Sequence, residues 1–431
     1  MSGKTITPQL QRELGVLGAT MMGLGSIIGT GVFVSIGIAA GIAGPAVIVA
    51  VALAAFVATC NGLNSAQLAA NHAVSGGTYE YGYKYLNPWF GFIAGWMFLL
   101  AKTASAATAA LGFASYLLTT TNLMGRGLLV PTALFAVVVF TAIVLTGIRR
   151  SNLVNIIIVS VTLLSLGLFV IVCLPRAVTV GAENLTPFFS GNAASVLHGT
   201  ALMFVAYTGY GRIATMGEEA KEPRKTIPRA MIVCLLLTML LYITVAAVGI
   251  GAVGAGVLGN VTQQAQAAPL EVAIRNVAGP AAGLVVAIGA MTAMLGVLLN
   301  LILGLSRVVL AMGRRRDLPR LFARLNQSGS TPVLAVLVVG VAIAGLVLIG
   351  DVKTTWSFSA FNVLIYYAIT NFAALQLSPE ERLYPKWIGW AGLASCAFLA
   401  FWVEQQIWLV GLALIVAGLI WRTTVQLLTG D

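Results

Sequence analysis

Twelve apolar runs, most about 20 residues long, recur along this chain and are separated by short polar or Gly/Pro-marked breaks. They cover 14–40, 45–70, 88–119, 128–147, 152–174, 195–216, 228–251, 281–311, 332–350, 355–376, 386–403 and 406–422. An α-helix rises about 1.5 Å per residue, so about 20 apolar residues match the hydrocarbon thickness of a bilayer. Inside lipid every backbone N–H and C=O must find a partner within the protein, which leaves helices or closed barrels. Runs of this length lack the alternation of barrel strands. The expected fold is therefore an all-α polytopic membrane protein with about 12 transmembrane helices. Only 9% of the 431 residues are charged and 59% are hydrophobic, which excludes an ordinary soluble domain of this size. The last two runs are the least cleanly divided, with only Glu404-Gln405-Gln406 between them. The polar segment Met1–Glu13 lacks the parts of a cleavable signal peptide, so the first span is expected to act as an uncleaved anchor.

The net charge is +11. Its distribution follows membrane topology rather than a nucleic-acid surface. With a cytoplasmic N-terminus, 17 of the Lys and Arg residues fall in cytoplasmic segments and four in outer loops. Lys102, Arg212 and Arg307 fall within spans. The expectation is a multi-pass protein of the plasma (inner) membrane with both termini cytoplasmic, and with no nucleic-acid partner. Cys60, Cys173, Cys234 and Cys396 sit in or beside apolar runs without a CxxC spacing, and read as small buried hydrophobes. His72 and His198 are isolated. Neither a metal site nor a cofactor is expected, and the sequence is silent on oligomeric state.

Two runs are broken at mid-membrane. Run one contains Gly25-Ser26-Ile27-Ile28-Gly29-Thr30-Gly31-Val32-Phe33, and run six contains Phe204-Val205-Ala206-Tyr207-Thr208-Gly209-Tyr210-Gly211. Glycine weakens a helix and lets a ligand approach the backbone. One break alone is equally explained by close helix packing, since Gly25 and Gly29 have GxxxG spacing. Two breaks, each opening a five-span block, point instead to an inverted-repeat transporter with a solute site between the repeats.

At these breaks the sequence resembles the amino acid–polyamine–organocation (APC) transporter superfamily. The resemblance extends to Ser75-Gly76-Gly77-Thr78-Tyr79-Glu80-Tyr81 after span two, and to the segment Gly217-Glu218-Glu219-Ala220-Lys221-Glu222-Pro223-Arg224-Lys225-Thr226-Ile227-Pro228-Arg229-Ala230 after span six. It implies one transmembrane domain with a leucine-transporter-like five-plus-five core: repeat one about 14–174, repeat two about 195–376, and two extra helices at about 386–422. It also implies an amino acid site on Ser26, Ile27, Gly29, Thr30, Gly31, Val205, Tyr207, Thr208 and Gly209. The substrate carboxylate would meet the backbone of Thr30 and Gly31, and its ammonium the carbonyls of Ile27, Val205 and Thr208. Half-helix ends suit both charges of a zwitterion. Tyr207 and Tyr210 are the aromatic gate candidates, with packing as the equal alternative. The charged segment 218–229 would act as an inner latch against Arg314–Arg316, or else is a solvated loop.

No acidic residue falls at mid-membrane, and Gly211 stands where arginine exchangers of the family carry a gating glutamate. Small polar residues such as Thr103–Thr108 are expected to line the pocket, which favours a neutral amino acid. Lys102 lies about 21 Å into span three at 1.5 Å per residue. An ionisable group at that depth marks function by default; the alternative is a lysine that snorkels or packs. By resemblance, Thr162 occupies the place of a coupling lysine on span five, and Gly296-Val297 the place of sodium-binding hydroxyls on span eight. Neither pattern is met, so Lys102 and Thr162 are the coupling candidates, with the proton as the candidate ion. The expected function is alternating-access transport of amino acids, proton-coupled or by exchange. A cationic amino acid or polyamine antiporter is the alternative. An embedded enzyme or channel is disfavoured, because no nucleophile–base pair, acidic dyad or filter sequence is present.

Overall fold

The computed structural model describes residues 15–429 except 75, 124, 148–151, 216–219, 264–266 and 327–330. Among the described residues the fold is helical. Span one is α1 (Val16–Ile27), a π-helical turn at Gly31–Ser35 and α2 (Ile36–Ala43). Then come α3 (Val47–Asn71), the short α4 (Thr78–Tyr81), α5 (Pro88–Thr120), α6 (Leu129–Leu145) and α7 (Asn152–Asn184). Span six is α8 (Ala193–Tyr207), a 3-10 turn at Thr208–Tyr210 and α9 (Gly211–Ala214). The rest are α10 (Pro223–Gln263), α11 (Pro269–Ala278), α12 (Pro280–Arg314), α13 (Val333–Val347), α14 (Val352–Leu375), α15 (Lys386–Leu399) and α16 (Gln405–Thr429). Each of the twelve expected runs holds a helix or a broken helix pair. By length and composition alone, seven helical stretches among the described residues are sufficient to cross a membrane, one of them joining spans one and two.

Local chemistry sets several starts. The Asn87 side chain accepts from the N–H groups of Trp89 and Phe90 at 2.9 and 3.1 Å, with Pro88 in the first helical position of α5. Asp351 caps α14 through Lys353 and Thr354 at 3.2 and 2.8 Å. Boundaries differ from the sequence reading in two places. Helix α7 continues past Pro175 to Asn184, so Arg176 is in a helix rather than a loop, and its Nε donates to the Ala252 carbonyl at 3.1 Å. Helix α10 is kinked at Gly254, whose φ of 81° suits glycine, and α11 follows as an additional helix.

Spans two, ten and eleven share a buried amide network. Asn64 Nδ2 donates to Asn371 Oδ1 at 2.7 Å, Gln67 Nε2 to Asn64 Oδ1 at 2.9 Å, and Asn371 Nδ2 to Asn61 Oδ1. Such bonds between spans hold helices that lipid does not squeeze together. On one face of the bundle, Glu404 meets His198 at 3.4 Å and Lys353 at 3.1 Å, joining the last loop to spans six and ten. Burial would push the Glu404 carboxyl up, but the His198 imidazole outweighs it and holds the group at about 2.

The opposite face holds a denser cluster. The Asp317 carboxylate accepts from Tyr79 and Tyr83 at 2.7 Å each, and Arg422 of the last span lies 3.8 Å away. Both charged side chains are only 6% exposed. The Arg422 guanidinium also lies over Trp89 at 4.9 Å and donates to the Pro88 carbonyl. Removing one member of a buried pair strands the other charge, at a cost of about 3–5 kcal/mol. Arg422→Met is expected to lower the thermal midpoint of the detergent-solubilised protein clearly, and the Arg422→Met/Asp317→Asn double variant to recover much of that loss. Thermal unfolding of the four forms checks this.

Candidate functional site at the facing helix breaks

The two broken spans face each other. Helix α1 ends where Ile28 adopts an extended backbone (φ −78°, ψ 107°), and the chain restarts at Thr30–Gly31. Helix α8 ends at Tyr207, and three residues of tighter helix follow. Both breaks need glycine because they touch. A Cβ on Gly209 would run into the Ser26 carbonyl, and one on Gly31 would sit 2.6 Å from the Ala206 Cβ. Gly29 faces Val297 of α12, where a Cβ would lie 2.7 Å from its Cγ2. The start of a helix leaves its first N–H groups without intrahelical partners. Here those are the N–H groups around Thr30 and Gly31, at the head of the continuous stretch through α2. Next to them, the Thr30 hydroxyl is buried (4% exposed) and has no hydrogen-bond partner among the described residues.

The carbonyls freed at the breaks are mostly met by tyrosines from other spans. Tyr242 of α10 donates to Ile27 O at 2.9 Å and lies 3.3 Å from Ala206 O. Tyr367 of α14 donates to Thr208 O at 3.2 Å, and Tyr116 of α5 to Phe33 O at 2.8 Å. The Thr208 hydroxyl donates to Val205 O at 2.8 Å. Lys102 of α5 reaches the same hydroxyl, with Nζ 3.0 Å from Thr208 Oγ1. Among the described residues no carboxylate forms an ion pair with Lys102.

The residues singled out in the sequence separate into three groups. Ile27, Gly29, Thr30, Gly31, Val205, Thr208 and Gly209 meet at the facing breaks, and Lys102 joins them. Ser26 lies beside them, but its hydroxyl donates within its own helix to Met22 O at 3.0 Å. Tyr207 is fully buried, donates to Val51 O at 3.3 Å and packs on Tyr242 with ring centroids 5.0 Å apart. Tyr210 packs on Tyr367 at 5.3 Å. Thr162 is buried on α7, which packs against α1, and its hydroxyl donates to Ile158 O at 2.7 Å. In the polar row on α5, Ser105 meets Ser359 at 2.7 Å and Thr108 meets Thr355 at 2.9 Å, so these hydroxyls form a seam with α14 rather than a pocket wall. Of the expected latch, Glu218 lies outside the described residues; within them Arg315 pairs with Glu80 of the loop after span two, and Lys225 with Glu222 inside its own segment.

Tyr116, Tyr242 and Tyr367 were not singled out in the sequence, nor was Asn155. The Asn155 Nδ2 donates to Met21 O at 2.9 Å and ties α7 to α1. The available signal was a polar hydroxyl or amide inside an apolar run, which must find a partner when buried.

The amino acid permease family profile matches residues 18–430. The chain belongs to that family, within the APC superfamily. The permease is 39% identical over 401 residues to an uncharacterized transporter of Mycobacterium tuberculosis, covering 92% of this chain and 88% of the relative. It is 28% identical over 345 residues to a branched-chain amino acid permease of Bacillus subtilis, covering 76% and 72% of the two chains. It is 31% identical over 399 residues to cationic amino acid transporter 4 of Mus musculus, covering 87% and 61%. These relatives are transporters rather than enzymes, and the permease is a multi-pass membrane protein.

The close approach of the breaks is directly testable. Gly209→Ala is expected to reduce uptake at least tenfold, because the new methyl group meets the α1 backbone. Gly304→Ala is expected to leave uptake unchanged, because nothing lies within 4 Å of the Cβ it would carry. Uptake by both variants, normalised to folded protein on size-exclusion chromatography, checks this.

Proposed function

We propose that this permease moves a neutral amino acid across the plasma membrane by alternating access, with the zwitterion held between the breaks of spans one and six. The reading includes two five-span repeats, 14–174 and 195–376, and cytoplasmic termini. One observation carries it: a buried hydroxyl without a partner, Thr30 Oγ1, stands at the start of a half-helix, directly opposite the second break. An orphaned buried hydroxyl is costly unless a ligand meets it, and helix-start N–H groups favour an anion. A substrate carboxylate satisfies both. Carbonyls at the Val205–Thr208 break then suit the ammonium.

The neutral side chain is supported by the placement of the acidic residues, which fall in loops, termini or span ends rather than at mid-membrane where a cationic side chain would need one. The branched-chain relative from Bacillus subtilis is in keeping with it. The cationic transporter relative supports the alternative of a cationic substrate. Counterflow into proteoliposomes separates the two: labelled leucine, valine, alanine or serine is expected to exchange, and arginine, lysine and putrescine are not. A preference for arginine or putrescine overturns the neutral reading, and turnover of substrate overturns transport.

Thr30→Val keeps the shape of the side chain and removes its hydroxyl. A hydrogen bond to a charged group contributes about 1.5–3 kcal/mol. The variant is therefore expected to raise KM by about ten- to a hundredfold with unchanged thermal stability, since no internal bond is lost. Initial-rate kinetics with the best counterflow substrate check it.

A further inference from the structure

We infer that a proton on Lys102 and the substrate's ammonium exclude each other by charge at the Thr208 corner of the site, so that this permease works as a proton–amino acid antiporter. The inference rests on the zwitterion site proposed above.

The observations concern one corner of the site. Lys102 Nζ lies 3.0 Å from Thr208 Oγ1. That hydroxyl has a single hydrogen, already donated to Val205 O at 2.8 Å, so it can only accept from the lysine. Tyr367 already donates to the Thr208 carbonyl, and Tyr242 to the Ile27 carbonyl. The acceptors at this break are therefore occupied by the protein's own donors, and the lysine is the only one of these that carries a cation. The tyrosines packed around this break are Tyr207 and Tyr210 of span six, Tyr242 of α10, and Tyr366 and Tyr367 of α14. Among the described residues no carboxylate pairs with Lys102 to offset its charge. Lys102 is half-buried.

A zwitterion bound with its ammonium at Val205–Thr208 brings a second cation against Lys102. Two unit charges at hydrogen-bond range in a partly solvated site repel by an amount equivalent to about a hundred- to thousandfold in affinity. The conflict ends if Lys102 passes one proton to water. The N–H bond breaks, its electron pair stays on Nζ as a lone pair, and the neutral amine accepts a hydrogen bond from the substrate's ammonium. Once the amino acid leaves, water returns the proton. Site occupancy thus alternates between proton and amino acid, and over a cycle they move in opposite directions. The sign is opposite to symport, in which a bound proton would strengthen substrate binding.

Two measurements on the full-length permease test this. Uptake of leucine, alanine and serine is followed in proteoliposomes with an acidic lumen or an acidic exterior, a contrast whose sign does not depend on protein orientation. An acidic lumen is expected to stimulate uptake several-fold; stimulation by an acidic exterior, or no effect, overturns the inference. Calorimetric titration with the same amino acids in phosphate and in Tris counts protons and is expected to show release of about one proton per amino acid at pH 7. Lys102→Met should bind with no proton release, and Lys102→Arg, whose charge is permanent, should bind at least tenfold more weakly than Lys102→Met. Rescue by Lys102→Arg would mark a packing role and overturn the inference. Binding without proton release in the wild type overturns it while leaving the zwitterion site standing. Absence of binding by all three amino acids removes both.

Discussion

Everything at the centre of this molecule depends on how backbone groups freed inside a membrane are satisfied. Lipid offers no hydrogen bonds, so a helix can open there only if other parts of the protein supply them. In this permease Tyr116, Tyr242 and Tyr367 reach in from three different spans and hold the carbonyls of Phe33, Ile27 and Thr208. The breaks are therefore fixed by spans three, seven and ten. Among the described side chains of the two breaks, the buried hydroxyls of Thr30 and Tyr210 are left without a partner.

The same logic organises the two faces. On one, Asp317, Tyr79, Tyr83 and Arg422 tie the loop after span two to the loop after span eight and to the last span. On the other, Glu404 ties the last loop to His198 and Lys353. The two helices outside the proposed ten-span core are thus joined to it by charge at both faces. Between the faces, the Asn61–Asn64–Asn371 network holds spans two and ten together without involving the breaks.

Much of this was legible in the sequence, for identifiable reasons. Run length and apolarity located the spans, because the bilayer imposes a minimum length on each. Glycine clusters located both breaks, because close backbone approach excludes a Cβ, as Gly31 and Gly209 show. Less legible was the direction in which each polar side chain points. Ser105 and Thr108 looked like pocket lining and form a seam with Ser359 and Thr355. Tyr207 has the position of a gate in the sequence and is a packed side chain between spans two and seven in the structure. Arg315 sits in a basic run that suggested a latch, and its partner is Glu80 from a loop more than 200 positions away.

What the sequence determined by itself is the membrane-spanning helical architecture, the two breaks and the family. Those follow from properties local to a run of residues: length, hydropathy, glycine and motif spacing. Only the tertiary structure decided which donors meet the opened backbone, and that Lys102 reaches the Thr208 hydroxyl beside it. The reason is that such partners come from helices far apart in the chain, and a side chain's facing within a buried bundle is set by neighbours that no local pattern encodes. Lys102 and Thr208 are about a hundred positions apart in sequence and 3.0 Å apart in space, and the electrostatics of the site follow from that second distance.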